Sequence, residues 1–253
     1  MAKKQAKKES HNWEQHGEFA GFENITQADL GIPFLQIIQP LSPEIDEESG
    51  KFIEGAEVGM IFNSVSREIL GGADDAINVI PCNYQRMFVE WKPRKGGGGF
   101  VAAHKNESIL EATHRNADGR DELATGNVIV TTAYMFCLYN DNYAGPVKCV
   151  ISFSSTQLKK ARQWLSMMMA IKFDGEKIKY TPPMFSHEYA LTTVSESNES
   201  GRWCGWKIDN AGMLNDTELI VEASKFSKTA VSALAVRTAL PEKSTEDETD
   251  TPF

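Results

Sequence analysis

Residues 77–91 read INVIPCNYQRMFVEW, and the phase of their alternation decides how the rest of the chain is read. At a period of two, Met87, Val89 and Trp91 share one face, while Tyr84, Arg86, Phe88 and Lys92 share the other. The spacing predicts one long strand. Its first face is plain core and takes Trp91 with it; its second interleaves aromatic rings with cations. The strand runs into KPRKGGGGF (92–100), where Lys92, Arg94 and Lys95 precede four glycines, which predicts a hairpin loop with a basic shoulder.

Downstream, NVIVTTAYMFCLY (127–139) is apolar on both faces, as a central strand must be. After the turn NDNYAG, PVKCVISF (146–153) predicts a third strand. The period then changes. SSTQLKKARQWLSMMMAIKF (154–173) opens on a capping-box pattern, Ser154 with Gln157, and sets Leu158, Leu165 and Met168 on one helical face. FSHEYALTTVSES (185–197) and RWCGWKID (202–209), joined by the turn NESG, predict two more strands. A last helix is expected from about Asp216 to Ala239, stopped before Pro241. Upstream, Pro33, Pro40 and Pro43 break GIPFLQIIQPLSPEI into an extended stretch, and GAEVGMIFNSVSREIL gives a short strand and turn. Residues 105–125 read as an irregular connection with a short helix near ESILEAT.

The expected fold is mainly β with helices (α+β). It is a small sheet curled toward a barrel, with one helix inserted after its early strands and another at the C-terminal end. The oligonucleotide-binding (OB) fold is one such architecture. Residues 1–24 are expected to form a lysine-tipped arm, 25–240 the folded domain, and 241–253 an acidic tail too poor in apolar residues to offset the entropy of ordering.

Composition narrows the function classes. The chain is 41% hydrophobic, enough for a core, yet no apolar run approaches the ~18 residues of a membrane span. The start MAKKQAKKES leads into polar HNWEQHGEF rather than an apolar stretch, so a cytoplasmic location is expected. Cys82, Cys137, Cys149 and Cys204 form no Cys-x-x-Cys pair and read as reduced core thiols. The histidines stand apart, so neither a metal nor a cofactor is expected. The glycine run is not a phosphate loop, because its cations precede the glycines and a strand follows them. Asp74, Asp75, Asp209, Asp216 and Glu218 all sit at turns or element ends, and no nucleophile, base and orienting partner converge. No enzyme is expected. The net charge is −9; residues 1–9 carry +3 and 241–253 carry −4, which leaves the body at −8. Any phosphate contact must come from a local basic patch.

Aromatics that stack on bases beside cations that follow the backbone are the means of binding single strands. Tyr84, Arg86 and Phe88, with Lys92, Arg94 and Lys95 beyond them, supply both, and Trp203 with Lys207 repeats the pairing on a later strand. The chain closes on EDETDTPF. This end resembles the acidic tail of bacterial single-stranded-DNA-binding proteins: Asp250, Pro252 and Phe253 match its tip, with Thr251 in place of the usual apolar residue. GIPFLQIIQPLSPE and YQRMFVEWKPRKGGGGF are similar to stretches of phage-encoded single-stranded-DNA-binding proteins, which join one OB-type domain to an acidic tail ending in an aromatic residue.

The resemblance implies a protein that coats single-stranded DNA in replication or recombination. Through Asp247, Glu248, Asp250, Pro252 and Phe253 it would recruit a polymerase, primase-helicase or nuclease. Two alternatives stay open: a strand-annealing recombination protein, and a virion or scaffold component with an acidic assembly tail.

Overall fold

The computed structural model describes residues 31–93, 97–141, 145–199 and 201–230. The lysine arm and the acidic tail lie outside this range. The chain order is β1 (Leu35–Ile37), β2 (Ile61–Asn63), β3 (Ile69–Gly71), β4 (Ile77–Trp91), β5 (Phe100–His104), β6 (Thr113–Arg115), β7 (Asp121–Leu123), β8 (Val128–Asp141), β9 (Gly145–Ser154), α1 (Leu158–Ala170), β10 (Phe173–Asp174), β11 (Lys179–Tyr180), β12 (His187–Asn198), β13 (Gly201–Met213) and α2 (Thr217–Thr229).

The main sheet is built on β4 and β8, paired antiparallel from Val79↔Tyr139 to Trp91↔Val128. The register shifts between Pro81 and Asn83, so Cys82 has no partner across the ladder. β9 adds to the far edge of β8, β12 to the other edge of β4, and β13 to β12. The five long strands therefore lie in the order β13-β12-β4-β8-β9, with α1 inserted between β9 and β12. That is an OB-like curled half-barrel: a three-strand meander, a helix, then a hairpin that returns to the first strand.

The three-stranded sheet β1-β2-β3 spans its open side. At one end Phe34 bridges Val150 of β9, whose N–H donates to the Pro33 carbonyl at 2.9 Å. At the other, Gln39 exchanges two hydrogen bonds with the Cys204 backbone of β13, at 2.9 and 3.0 Å, and Thr193 of β12 bonds to the carbonyls of Gly59 and Gly72.

Curling gives the sheet two buried faces. Inside lie Ile77, Val79, Ala133, Met135, Cys137, Ile151, Phe153, Tyr189, Leu191 and Trp206, plugged by Ala161, Trp164 and Met168 of α1. Outside lie Ile80, Cys82, Met87, Val89, Tyr134, Phe136 and Leu138, covered by Leu219, Ala223 and Phe226 of α2. Burying each such side chain stabilises the fold by roughly 1.5–3 kcal/mol. Cys82, Cys137 and Cys149 are buried free thiols, pushed up by desolvation, while Cys204 is half-buried.

Three local expectations are corrected. The capping box does not form: Ser154 makes no side-chain cap bond, a short 3-10 turn covers Ser155–Gln157, and α1 begins at Leu158. Gln157 instead reaches across to the β12–β13 hairpin. The irregular connection 105–125 contains the hairpin of β6 and β7 after a 3-10 segment at Glu107–Ala112. A second small hairpin, β10–β11, follows α1, where no strand was expected. α2 starts as predicted, with the Asp216 carboxylate accepting from the Glu218 and Leu219 amides, but is described only to Thr229.

Trp164 is fully buried, edge-on to Phe153 and to Tyr189, with ring centroids 6.2 and 5.5 Å apart. Its indole N–H and the Tyr189 hydroxyl are buried without a hydrogen-bond partner among the described residues. Trp164→Ala is expected to cost about 3–5 kcal/mol in urea denaturation. Tyr189→Phe should be neutral or slightly stabilising, because it removes an unpaired polar group without leaving a cavity.

Candidate nucleic-acid interface

Tyr84, Arg86 and Phe88 do share one face of β4, opposite Met135, Ala133 and Thr131 of β8. That is the inner face, where Tyr84 is half-buried and Phe88 buried. Tyr84 packs against the inner core, and Phe88 is only 2% exposed. Arg86 lies over the Phe88 ring, 5.4 Å from its centroid, and its guanidinium donates to Glu107 at 2.6 Å. The next residue on this face, Glu90, accepts from Asn127 at 2.6 Å and meets His104 at 2.9 Å. The Asn127 bond, against some desolvation and with help from His104, holds the Glu90 carboxyl below the usual range. This end of the sheet is closed by its own polar contacts. Lys92 is exposed just beyond it; Arg94 and Lys95 lie outside the described residues.

Trp203 and Lys207 are not brought to this group. Trp203 pairs with Glu196, five residues past Leu191, which itself faces Ile77 at the start of β4. Along the strands Trp203 and Tyr84 are therefore separated by more than ten residues, roughly 35 Å at ~3.3 Å per residue. Trp203 is also half-buried, with its indole N–H donating to Glu196 at 2.9 Å. Lys207 is exposed and pairs with Asp209 at 3.2 Å. The predicted binding residues thus form two separate groups, neither of which offers an open aromatic platform.

Glu196 is the polar node of the β13 end. Its carboxylate accepts from Gln157 at 2.8 Å and Trp203 at 2.9 Å, and pairs with Lys160 of α1 at 3.1 Å. The Gln157 carbonyl oxygen in turn accepts from the Trp206 amide at 3.0 Å. The bare backbone of Gly205 gives the node its room: a Cβ would stand 2.5 Å from the Glu196 carboxylate and 2.8 Å from the Gln157 amide nitrogen, so any other residue would displace these two side-chain ends. Burial raises the Glu196 carboxyl, but bonds from Lys160, Gln157 and Trp203, with the Lys160 charge, together outweigh it and leave the group below its ordinary value. The node fixes the first turn of α1 against the hairpin.

The outer face of the sheet carries another constraint. In OB folds the second and third strands and their neighbouring loops receive oligonucleotides. Here those strands are β8 and β9, and α2 lies across them: Phe226 meets Phe136 edge-on at 6.3 Å, and Lys148 of β9 sits 5.5 Å over the Phe226 ring.

The opposite side of the molecule is more open. Between α1 and β13 lies a shallow depression of about 240 Å³, lined by Lys160, Gln163, Met167, Trp206, Lys207, Ile208 and Asp209. The α1 cations were not among the candidates the sequence suggested. A signal was present: residues 142–173 contain no acid and five cations, in a chain of net charge −9.

Fold and surface together define a mainly β, OB-like half-barrel with one helix inside its curl and one on its outer face. A family model described as Pam3 phage gp34-like protein matches residues 2–235, and the chain belongs to that phage-protein family. No curated protein and no solved structure matches the chain. Among the described residues no helix is long and apolar enough to cross a membrane.

Because the folded Glu196 is more acidic than an unfolded glutamate, its contribution to stability is present above the ordinary carboxylate pKa and is lost as pH falls through the folded value. Glu196→Gln is expected to lower stability by about 1–3 kcal/mol at pH 7. The gap to the parent protein should close progressively below about pH 4.3, as followed by urea unfolding across pH.

Proposed function

We propose that this phage protein binds single-stranded DNA without catalysing a reaction, coating strands exposed in replication or recombination. The observation that carries the reading is the strand order β13-β12-β4-β8-β9 with α1 inserted before the returning hairpin, a connectivity suited to oligonucleotide binding. A fold alone does not assign a function. Two features of the sequence add to it: a stretch, 142–173, with five cations and no acid in an otherwise acidic chain, and the EDETDTPF end. A polyanionic tail competes with DNA for cations most strongly at low salt, and once displaced it presents an aromatic tip beside a carboxylate. Phe253 with its flanking acids would then engage an apolar pocket edged by Arg or Lys on a polymerase, primase-helicase or nuclease.

Fluorescence anisotropy with labelled oligo-dT and a duplex of equal length tests the reading, using the full chain and a chain shortened to end at Pro241. Both are expected to prefer the single strand, and shortening should tighten binding chiefly at low salt. Absence of single-strand binding by both chains would overturn the proposal in favour of a virion or scaffold role.

A further inference from the structure

With α2 across the outer face and Phe88 buried, a strand needs another surface that combines cations with an accessible ring. The exposed side of α1 and the hairpin that follows it is such a surface. Lys159, Arg162, Gln163, Ser166 and Met169 are exposed and recur at helical spacing, so they form one stripe along α1, opposite the buried Ala161, Trp164 and Met168. From Lys159 to Met169 the stripe runs roughly 15 Å. Lys172 continues it past the helix end.

Its cations meet no acid among the described residues, although the Lys172 ammonium also donates to the Thr181 hydroxyl. Among the described residues no carboxylate lies within ion-pair distance of Lys159, Arg162 or Lys172, whereas Lys160 is held by Glu196 and Lys207 by Asp209. The stripe borders the depression, where Lys160 and Lys207 flank the buried Trp206. At its far end the β10–β11 hairpin exposes Tyr180 at 48% and Ile178 at 78%, beside Lys177 and Lys179. The acids on this side include Glu196, Asp209, Asp174 and Glu176; Glu196 already meets Lys160 at 3.1 Å, Asp209 meets Lys207 at 3.2 Å and Asp174 meets Lys179 at 3.5 Å.

Resting on the single-strand reading above, we infer that the strand's phosphates run along α1 over Lys159, Arg162 and Lys172, with Tyr180 stacking on a base at the end of the path. Charge complementarity selects this occupant: Lys159, Arg162 and Lys172 belong to the acid-free stretch 142–173 of a strongly acidic chain and meet no carboxylate among the described residues, so a polyanion is attracted to them and repelled over most of the remaining body. It also resolves how an acidic protein holds DNA.

The test is a salt titration of oligo-dT binding by the full chain and two triple variants that remove equal charge. One, K159Q/R162Q/K172Q, lies on the path; the other, K92Q/K105Q/R120Q, lies at the Phe88 end of the sheet. Each phosphate contact contributes ~0.7 to the slope of log K against log salt for single strands, so the path variant should flatten the slope by about 2. It should also bind more than tenfold more weakly at low salt, while the other triple keeps the parent slope. Tyr180→Ala should weaken binding about tenfold without changing the slope.

If the parent chain binds oligo-dT and only the K92Q/K105Q/R120Q variant flattens the slope, the path is wrong and the function stands. If the parent chain does not bind, the function itself fails. If the path variant abolishes the effect of removing the tail but leaves the slope of the shortened chain unchanged, the surface seats the protein's own tail and the inference is overturned.

Discussion

The pairing of β4 with β8 is the interaction on which the other elements depend. It joins the two longest strands over twelve register positions, and almost every side chain between Ile129 and Tyr139 is buried or partly so, whichever face it points to. A ribbon apolar on both sides is insoluble until both sides are covered. The chain covers them from two directions: α1 with Trp164 inside the curl, and α2 with Leu219 and Phe226 outside. The unpaired Cys82 bends the ribbon where the register shifts, and the hairpin β12–β13 and the small sheet β1-β2-β3 complete the wall.

Covering both faces bears on the proposed function. A single strand on an OB barrel crosses the outer face of the second and third strands. In this chain α2 occupies that position, and Lys148, the cation of β9 nearest to it, is directed at the Phe226 ring. Cations without an acid partner among the described residues lie instead on the exterior of α1 and just past its end, at Lys159, Arg162 and Lys172, and α1 is tied to the β12–β13 hairpin by the Glu196 node. The acidic net charge and a phosphate-binding role are compatible because the charge is segregated rather than averaged over the surface.

Periodicity made a large part of this legible. The alternation of 77–91 separated the Met87, Val89 and Trp91 face from the Tyr84, Arg86 and Phe88 face correctly, and the doubly apolar 127–139 marked the central strand. Alternation reports which face a residue shares, not what lies over that face. Phe88 is buried although its strand neighbours Arg86 and Glu90 are polar, because their partners Glu107, His104 and Asn127 arrive from segments distant in sequence. The same limit separated Trp203 from Tyr84, since the offset between β12 and β4 is a long-range register that no local pattern encodes. Gln157 shows the converse: its spacing from Ser154 suited a cap, yet the bare backbone at Gly205 gave its amide a better partner in Glu196. The α1 surface was readable in principle as an acid-free run, a property visible only when charge is counted by segment.

The central claim is that DNA follows α1 because the outer face is taken. Photocrosslinking tests it most directly: oligo-dT carrying 5-iododeoxyuridine is irradiated in complex with the full chain, and the adducts are located by peptide mass. The account predicts adducts within residues 158–182, with Tyr180 foremost. Adducts confined to residues 92–105 or to α2, with none on α1 or its hairpin, would contradict it.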